Sequence, residues 1–127
     1  MTRQFHAALL ALAATSATAQ GDAQRGAAIV FDSERGNCTI CHVIAGLSLP
    51  EDAQGNIGPP LAGISAWRSA EELAAIITDP RALMPGTVMP AYGTTDGLND
   101  VAPQWRGRPV LTGDDIADVV AYLMELR

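Results

Sequence analysis

Five consecutive residues, Cys38-Thr39-Ile40-Cys41-His42, place two thiols and an imidazole within one short turn. Two cysteines separated by two residues and followed at once by histidine form the attachment pattern of a c-type haem. The spacing has a physical cause: both thiols reach the two vinyl groups on one haem edge, and the next imidazole then lies beneath the iron. Two competing chemistries fit less well. A thioredoxin-like pair calls for a βαβ pattern, and no alternating strand pattern is present; structural zinc calls for four Cys or His ligands, and past residue 19 the chain offers only these three. We therefore expect one haem c, joined through Cys38 and Cys41 and ligated by His42.

The second axial position is open to argument. His42 is the only histidine past residue 19, so the remaining strong ligand is a methionine thioether, which favours ferrous iron more than a second imidazole does. Three methionines compete. Met124 lies in the last turns of a C-terminal helical pattern and reads as packing. Met84 follows Pro80 by four residues, close to where a middle helix stops. Met89 sits farther along, on a Pro-Gly-Thr-Val segment that can reach across the haem face, and Pro90 holds it extended. Loop geometry favours Met89, with Met84 as the alternative.

Three helical segments must position these groups. In "GDAQRGAAIVFD", Ala23, Gly26, Ala27, Val30 and Phe31 form a 3.6-residue stripe that Asp22 can cap. "SAEELAAIITDP" opens with the capping pair Ser69 and Glu72, buries Leu73, Ile76 and Ile77, and stops at Pro80. "TGDDIADVVAYLMEL" pairs Thr112 with Asp115 and buries Ile116, Val119, Val120, Leu123 and Leu126. The rest reads as loops and turns. An all-α domain of three to four helices, covering about half of the chain past residue 19, leaves a thin core that a large apolar cofactor would fill.

The first residues read as an export signal: a weakly basic start at Arg3 and His6, the apolar run "AALLALAATSA", and a cleavage site at Ala17-Thr18-Ala19. Polar Thr15, Ser16 and Thr18 interrupt the run before the roughly 20 apolar residues of a membrane anchor. We thus expect a signal peptide over 1–19 and one cytochrome-sized domain over 20–127, located in the periplasm, where covalent haem attachment takes place. Past residue 19 the chain carries seven arginines, no lysine and fourteen carboxylates, a formal charge of −7. That balance argues against nucleic acid and anionic lipid as partners.

Over this whole domain the chain resembles the class I cytochromes c. The resemblance rests on Gly26, the Cys38–His42 motif, Gly58-Pro59-Pro60-Leu61-Ala62-Gly63, the Ser69–Asp79 helix, the Pro85–Pro90 loop and Tyr122-Leu123. It implies the class I cytochrome c fold, Met89 as second ligand, a Pro59 carbonyl accepting from the His42 Nδ1–H, Leu61 packed on the haem, and Gly26 at the crossing of the first and last helices. His42 and Met89 would then be the metal ligands, with no catalytic residue in the chain.

The segment after the ligand loop narrows the resemblance. Gly36-Asn37-Cys38, Gly55 to Leu61, and the long run from Gly97 to Thr112 resemble SoxX, the monohaem family of the Sox thiosulfate-oxidising system. This implies a heterodimer with a SoxA-type cytochrome subunit, and transient contact with the SoxYZ carrier, whose cysteine is joined to thiosulfate. The chain would accept electrons from the SoxA site and pass them to a soluble acceptor. It would be the electron-accepting subunit of a heteromeric L-cysteine S-thiosulfotransferase and would not be catalytic alone. A stand-alone periplasmic cytochrome shuttling electrons to a respiratory oxidase is the alternative. Arg106, Arg108, Trp67 and Trp105 read first as solvated or packing residues, although the arginines could pair with haem propionates or an acidic partner, and Trp105 could anchor an interface.

Overall fold

The computed structural model describes residues 20–45, 47 and 49–127. The expected signal segment and its cleavage site lie outside the described residues. Three α-helices form: α1 (Ala23–Phe31), α2 (Ala70–Thr78) and α3 (Gly113–Glu125), and no strand occurs among the described residues. With nine, nine and thirteen residues they cover less of the chain than the half expected. Short 3-10 turns and side-chain caps organise the long connections instead. No helix among the described residues is long and apolar enough to cross a membrane.

Each helix begins where its capping residue lies. The Asp22 carboxylate accepts from the Gln24 and Arg25 N–H groups at 2.9 and 3.0 Å, taking up donors that a helix start leaves unpaired. Ser69 with Glu72 and Thr112 with Asp115 form reciprocal capping boxes.

The buried faces follow the helical period with a departure in each helix. In α1 the buried residues are Gly26, Ile29 and Val30. Ile29 takes the place expected for Phe31, which remains 38% exposed with its ring edge-on to Tyr122 at 6.0 Å. The helix is rolled so that Gly26 meets α3, and that roll carries Ile29 inward. In α2, Leu73 and Ile77 face the core while Ile76 is only half buried. Helix α3 contributes Ile116, Val119, Val120 and Leu123, while Leu126, expected on the same stripe, follows the last helical residue and is only partly buried. Two loop residues, Ile44 and Leu111, complete the centre and are among its most deeply buried side chains.

The α1–α3 crossing fixes the rest. A Cβ on Gly26 would land on the Asp118 carbonyl oxygen, so only glycine lets the two backbones approach this closely. Beside it the Asp118 side chain, 5% exposed, accepts from the Asp22 N–H at 2.6 Å and from Arg25 Nε and Nη2 at 2.7 and 2.9 Å. The Arg25 guanidinium, helped by the Asp22 N–H, holds the Asp118 carboxyl below the usual carboxylate range. The unfolded chain therefore binds more protons than the folded one just below pH 4, and stability rises with pH there. The contribution is fully present above the ordinary carboxylate pKa and is lost as pH falls through the depressed one. Asp118→Asn is expected to melt at lower temperature at neutral pH and to lose less further stability on acidification, as thermal melts across pH 2–7 would read.

Candidate functional site

The site is assembled from three loops laid against this helical frame. The first begins where α1 ends. Asn37 adopts the left-handed region, φ 45°, which asparagine tolerates better than most side chains. From there Cys38–Ile40 forms a single 3-10 turn, and the His42 N–H donates to the Cys38 carbonyl at 2.9 Å. The turn holds Cys38, Cys41 and His42 on one short stretch of backbone. Cys38 packs against the core. Burial, reinforced by the neighbouring Cys41, pushes the Cys38 thiol up to about 11. A redox-active C-x-x-C pair depends on the opposite shift, toward the thiolate.

The second loop, residues 54–61, runs as a strap alongside the first. The Gly55 N–H donates to the Thr39 carbonyl at 2.8 Å, the Gly58 N–H to Cys41 at 2.8 Å and the Leu61 N–H to Val43 at 2.9 Å. This pairing brings the Pro59 carbonyl to 2.7 Å from His42 Nδ1. With Nδ1 holding the proton, Nε2 is left with its lone pair free to bind a metal. A Cβ on Gly58 would collide with the His42 ring, so the strap lies directly against the imidazole. Leu61 is buried at the strap's end.

The third loop carries the methionines. Met84, Pro85, Gly86 and Thr87 form a tight turn closed by the Thr87 N–H on the Met84 carbonyl at 3.1 Å, with Gly86 at φ 83°. Proline at the second position and a positive-φ glycine at the third are the marks of a type II turn. Met84 stands at its mouth, 38% exposed. Beyond the turn the Met89 N–H donates to the Thr87 hydroxyl at 3.2 Å, and Met89 packs against the core cluster. Met124 lies exposed near the end of α3.

These groups fit a haem by two observations. The donor set comprises two thiols for thioether bonds, an imidazole with its tautomer held, and a thioether on a separate loop. Large apolar side chains also stand exposed on each of the three loops: Ile40 inside the cysteine motif, Ile57 two residues before Pro59, and Val88 next to Met89. Such a concentration is unusual for a solvated surface, and a flat apolar macrocycle is the kind of group it accommodates.

Two contributors were not singled out by their sequence context. Tyr92 donates its hydroxyl to the Gly36 carbonyl at 3.0 Å. Its N–H reaches Ile77 at 3.1 Å and its carbonyl accepts from Leu111 at 2.9 Å, so it ties the methionine loop to the cysteine loop and to α2. Burial, with the nearby thiols adding to it, pushes its phenol up to about 12. Gln54 is buried at the head of the strap. An aromatic three residues after Met89 is a signal that could have marked Tyr92; a lone glutamine in a polar loop carries none.

The run from Gly97 to Thr112 folds on itself beside this site. Arg81 anchors its start, gripping Asp79 through Nε and Nη2, both at 2.8 Å, and donating to the carbonyls of Asp96 at 2.7 Å and Gly97 at 3.2 Å. Arg106 and Arg108 spend their Nε donors locally, on Val101 at 3.2 Å and Gln104 at 2.9 Å. Arg108 also lies over the half-buried Trp105 ring at 5.0 Å. Trp67, by contrast, is 79% exposed and does not belong to the core.

Known proteins with these features were found by family and by structure. The cytochrome c family model matches residues 23–127. Among solved structures, a chain of the SoxXA crystal structure from P. pantotrophus superposes with a TM-score of 0.75 at 30% sequence identity, over 85% of this chain and 83% of that one. No match was found among curated proteins.

Proposed function

Because the chain belongs to the cytochrome c family, with residues 23–127 matching the family model, we propose that it is the electron-transfer subunit of a Sox-type sulfur-oxidising complex. The observation that carries the haem part is the pairing of the cysteine turn with the strap, which sets His42 Nδ1 2.7 Å from the Pro59 carbonyl. The likeness to a SoxXA chain over most of both lengths supports the Sox part.

Cys38 and Cys41 would anchor one haem c through thioether bonds, and His42 and Met89 would bind its iron. Bound there, the haem supplies a one-electron ferric–ferrous couple. The chain's own residues do the rest. Pro59 holds the imidazole proton on Nδ1 and increases the electron donation of Nε2. The Met89 thioether, placed by the Thr87 turn, favours the reduced state. Leu61 and the apolar side chains of the three loops exclude water from the ring faces. With His42 and Met89 both binding the iron, the group would serve to transfer electrons.

In this reading the chain is exported, with cleavage near Ala19, and pairs in the periplasm with a SoxA-type cytochrome subunit. That subunit would perform the joining of thiosulfate to the cysteine of SoxYZ, as the active part of an L-cysteine S-thiosulfotransferase. The present chain has no cysteine beyond Cys38 and Cys41 to take part in thiol chemistry. It would accept the electrons released and hand them to a soluble acceptor.

Affinity purification of the tagged protein from the periplasm of its own host tests this directly. Haem-stained gels and mass spectrometry are expected to show a covalent haem on this chain and a stoichiometric second c-type cytochrome. A haem-bearing chain that is purified alone and monomeric would overturn the complex and leave an independent electron shuttle.

A further inference from the structure

Among the described residues Gln54 is the one uncharged polar side chain that is buried, 9% exposed, and three hydrogen bonds to backbone use both donors and the oxygen of its carboxamide. Its Oε1 accepts from the Ile44 N–H at 2.8 Å, and its Nε2 donates to the carbonyls of Ile44 and Leu49, both at 3.1 Å. It thereby satisfies both backbone groups of Ile44, two residues past His42. Ile44 is itself completely buried and has no helix or strand to supply those partners. Gln54 heads the strap, whose next residues pair with Thr39, Cys41 and Val43 and carry the Pro59 carbonyl.

We propose that Gln54 is a positioning residue for the axial histidine: by clamping Ile44 to the head of the strap it holds the Pro59 carbonyl in register with the His42 Nδ1–H. The inference rests on the haem reading above and deepens it. Buried hydrogen bonds carry weight because their loss leaves backbone groups without water to replace them. Only glutamine meets the geometry. Asparagine is one methylene shorter, an ionised glutamate has no donor for the two carbonyls, and methionine matches the length with neither donor nor acceptor. The consequence reaches the metal through one bond. A slack strap weakens the Nδ1–H···O=C contact, the imidazole becomes a poorer donor, and the oxidised state loses more than the reduced one.

The test compares the haem-loaded wild type with Gln54→Met and with Leu123→Ala, a core cavity on α3 that serves as a stability control. Covalent haem is quantified first, so that a wild-type chain without it counts against the haem reading and not against Gln54. In Gln54→Met the thioether-to-iron absorption band is expected to persist, the reduction potential to rise, and the His42 Nδ1–H to exchange faster by roughly tenfold, the scale set by one or two lost hydrogen bonds. Leu123→Ala is expected to lower the melting temperature without moving the potential. A Gln54→Met protein with unchanged potential and unchanged Nδ1–H exchange would overturn the proposal, as would an equal potential shift in Leu123→Ala. Should Gln54→Met fail to fold, hydrogen exchange on the unaltered protein decides: the Ile44, Gly58 and Leu61 N–H groups and the His42 Nδ1–H are expected to open together, and an independent Nδ1–H refutes the coupling.

Discussion

Replacing Met89 by alanine is expected to abolish the long-wavelength absorption band of a thioether-to-ferric-iron bond, whereas Met84→Ala leaves it in place. The two methionines sit in the same kind of dipeptide, each followed by proline, and the turn between them gives them different environments. Met84 closes the Pro85-Gly86 turn through its own carbonyl, and its side chain is exposed at the turn's mouth. Met89 emerges beyond the turn, with its N–H held by the Thr87 hydroxyl and its side chain on the core. Loss of a ligand that favours ferrous iron should also lower the reduction potential, which redox titration of the variant would read. A band that survives in Met89→Ala and disappears in Met84→Ala would reverse the assignment.

Gly26→Ala is expected to destabilise the protein by about 3 kcal/mol, the upper part of the range for steric overpacking. The sign makes this a sharp test. In an exposed helix interior the same substitution stabilises by roughly 1 kcal/mol, because alanine is the better helix former. Here the added methyl would land on the Asp118 carbonyl oxygen, a backbone atom that cannot swing aside. The helices would have to separate, and the bonds joining Asp118 to Asp22 and Arg25 would lengthen with them. A domain of this size loses about 4–8 °C of melting temperature per kcal/mol, so a drop above about 10 °C is expected. An unchanged or raised melting temperature would show that the crossing yields more readily than its geometry implies.

The parts of this molecule that were legible in the sequence are those fixed by local chemistry. Asp22, Ser69 with Glu72, and Thr112 with Asp115 start their helices because capping depends on residues within one turn. The hydrogen bond from the His42 N–H to the Cys38 carbonyl is likewise local, made within the five residues of the cysteine motif. What escaped depends on partners distant in the chain. Asp118 looks like an exposed acid in the middle of an amphipathic helix, yet Arg25 and the Asp22 N–H make it a buried junction. Gln54 reads as loop polarity until Ile44 and Leu49 surround it. The roll of α1 that buries Ile29 in place of Phe31 is likewise set by where Gly26 meets α3, which helical periodicity alone does not specify.

The α1–α3 crossing also carries a topological cost. Its hydrogen bonds join residues 93 and 96 positions apart, among the most distant pairings in the chain, and closing so long a loop carries an entropic cost that local turns do not. The cysteine turn and its strap are joined across far shorter separations and can organise while the terminal helices are still apart.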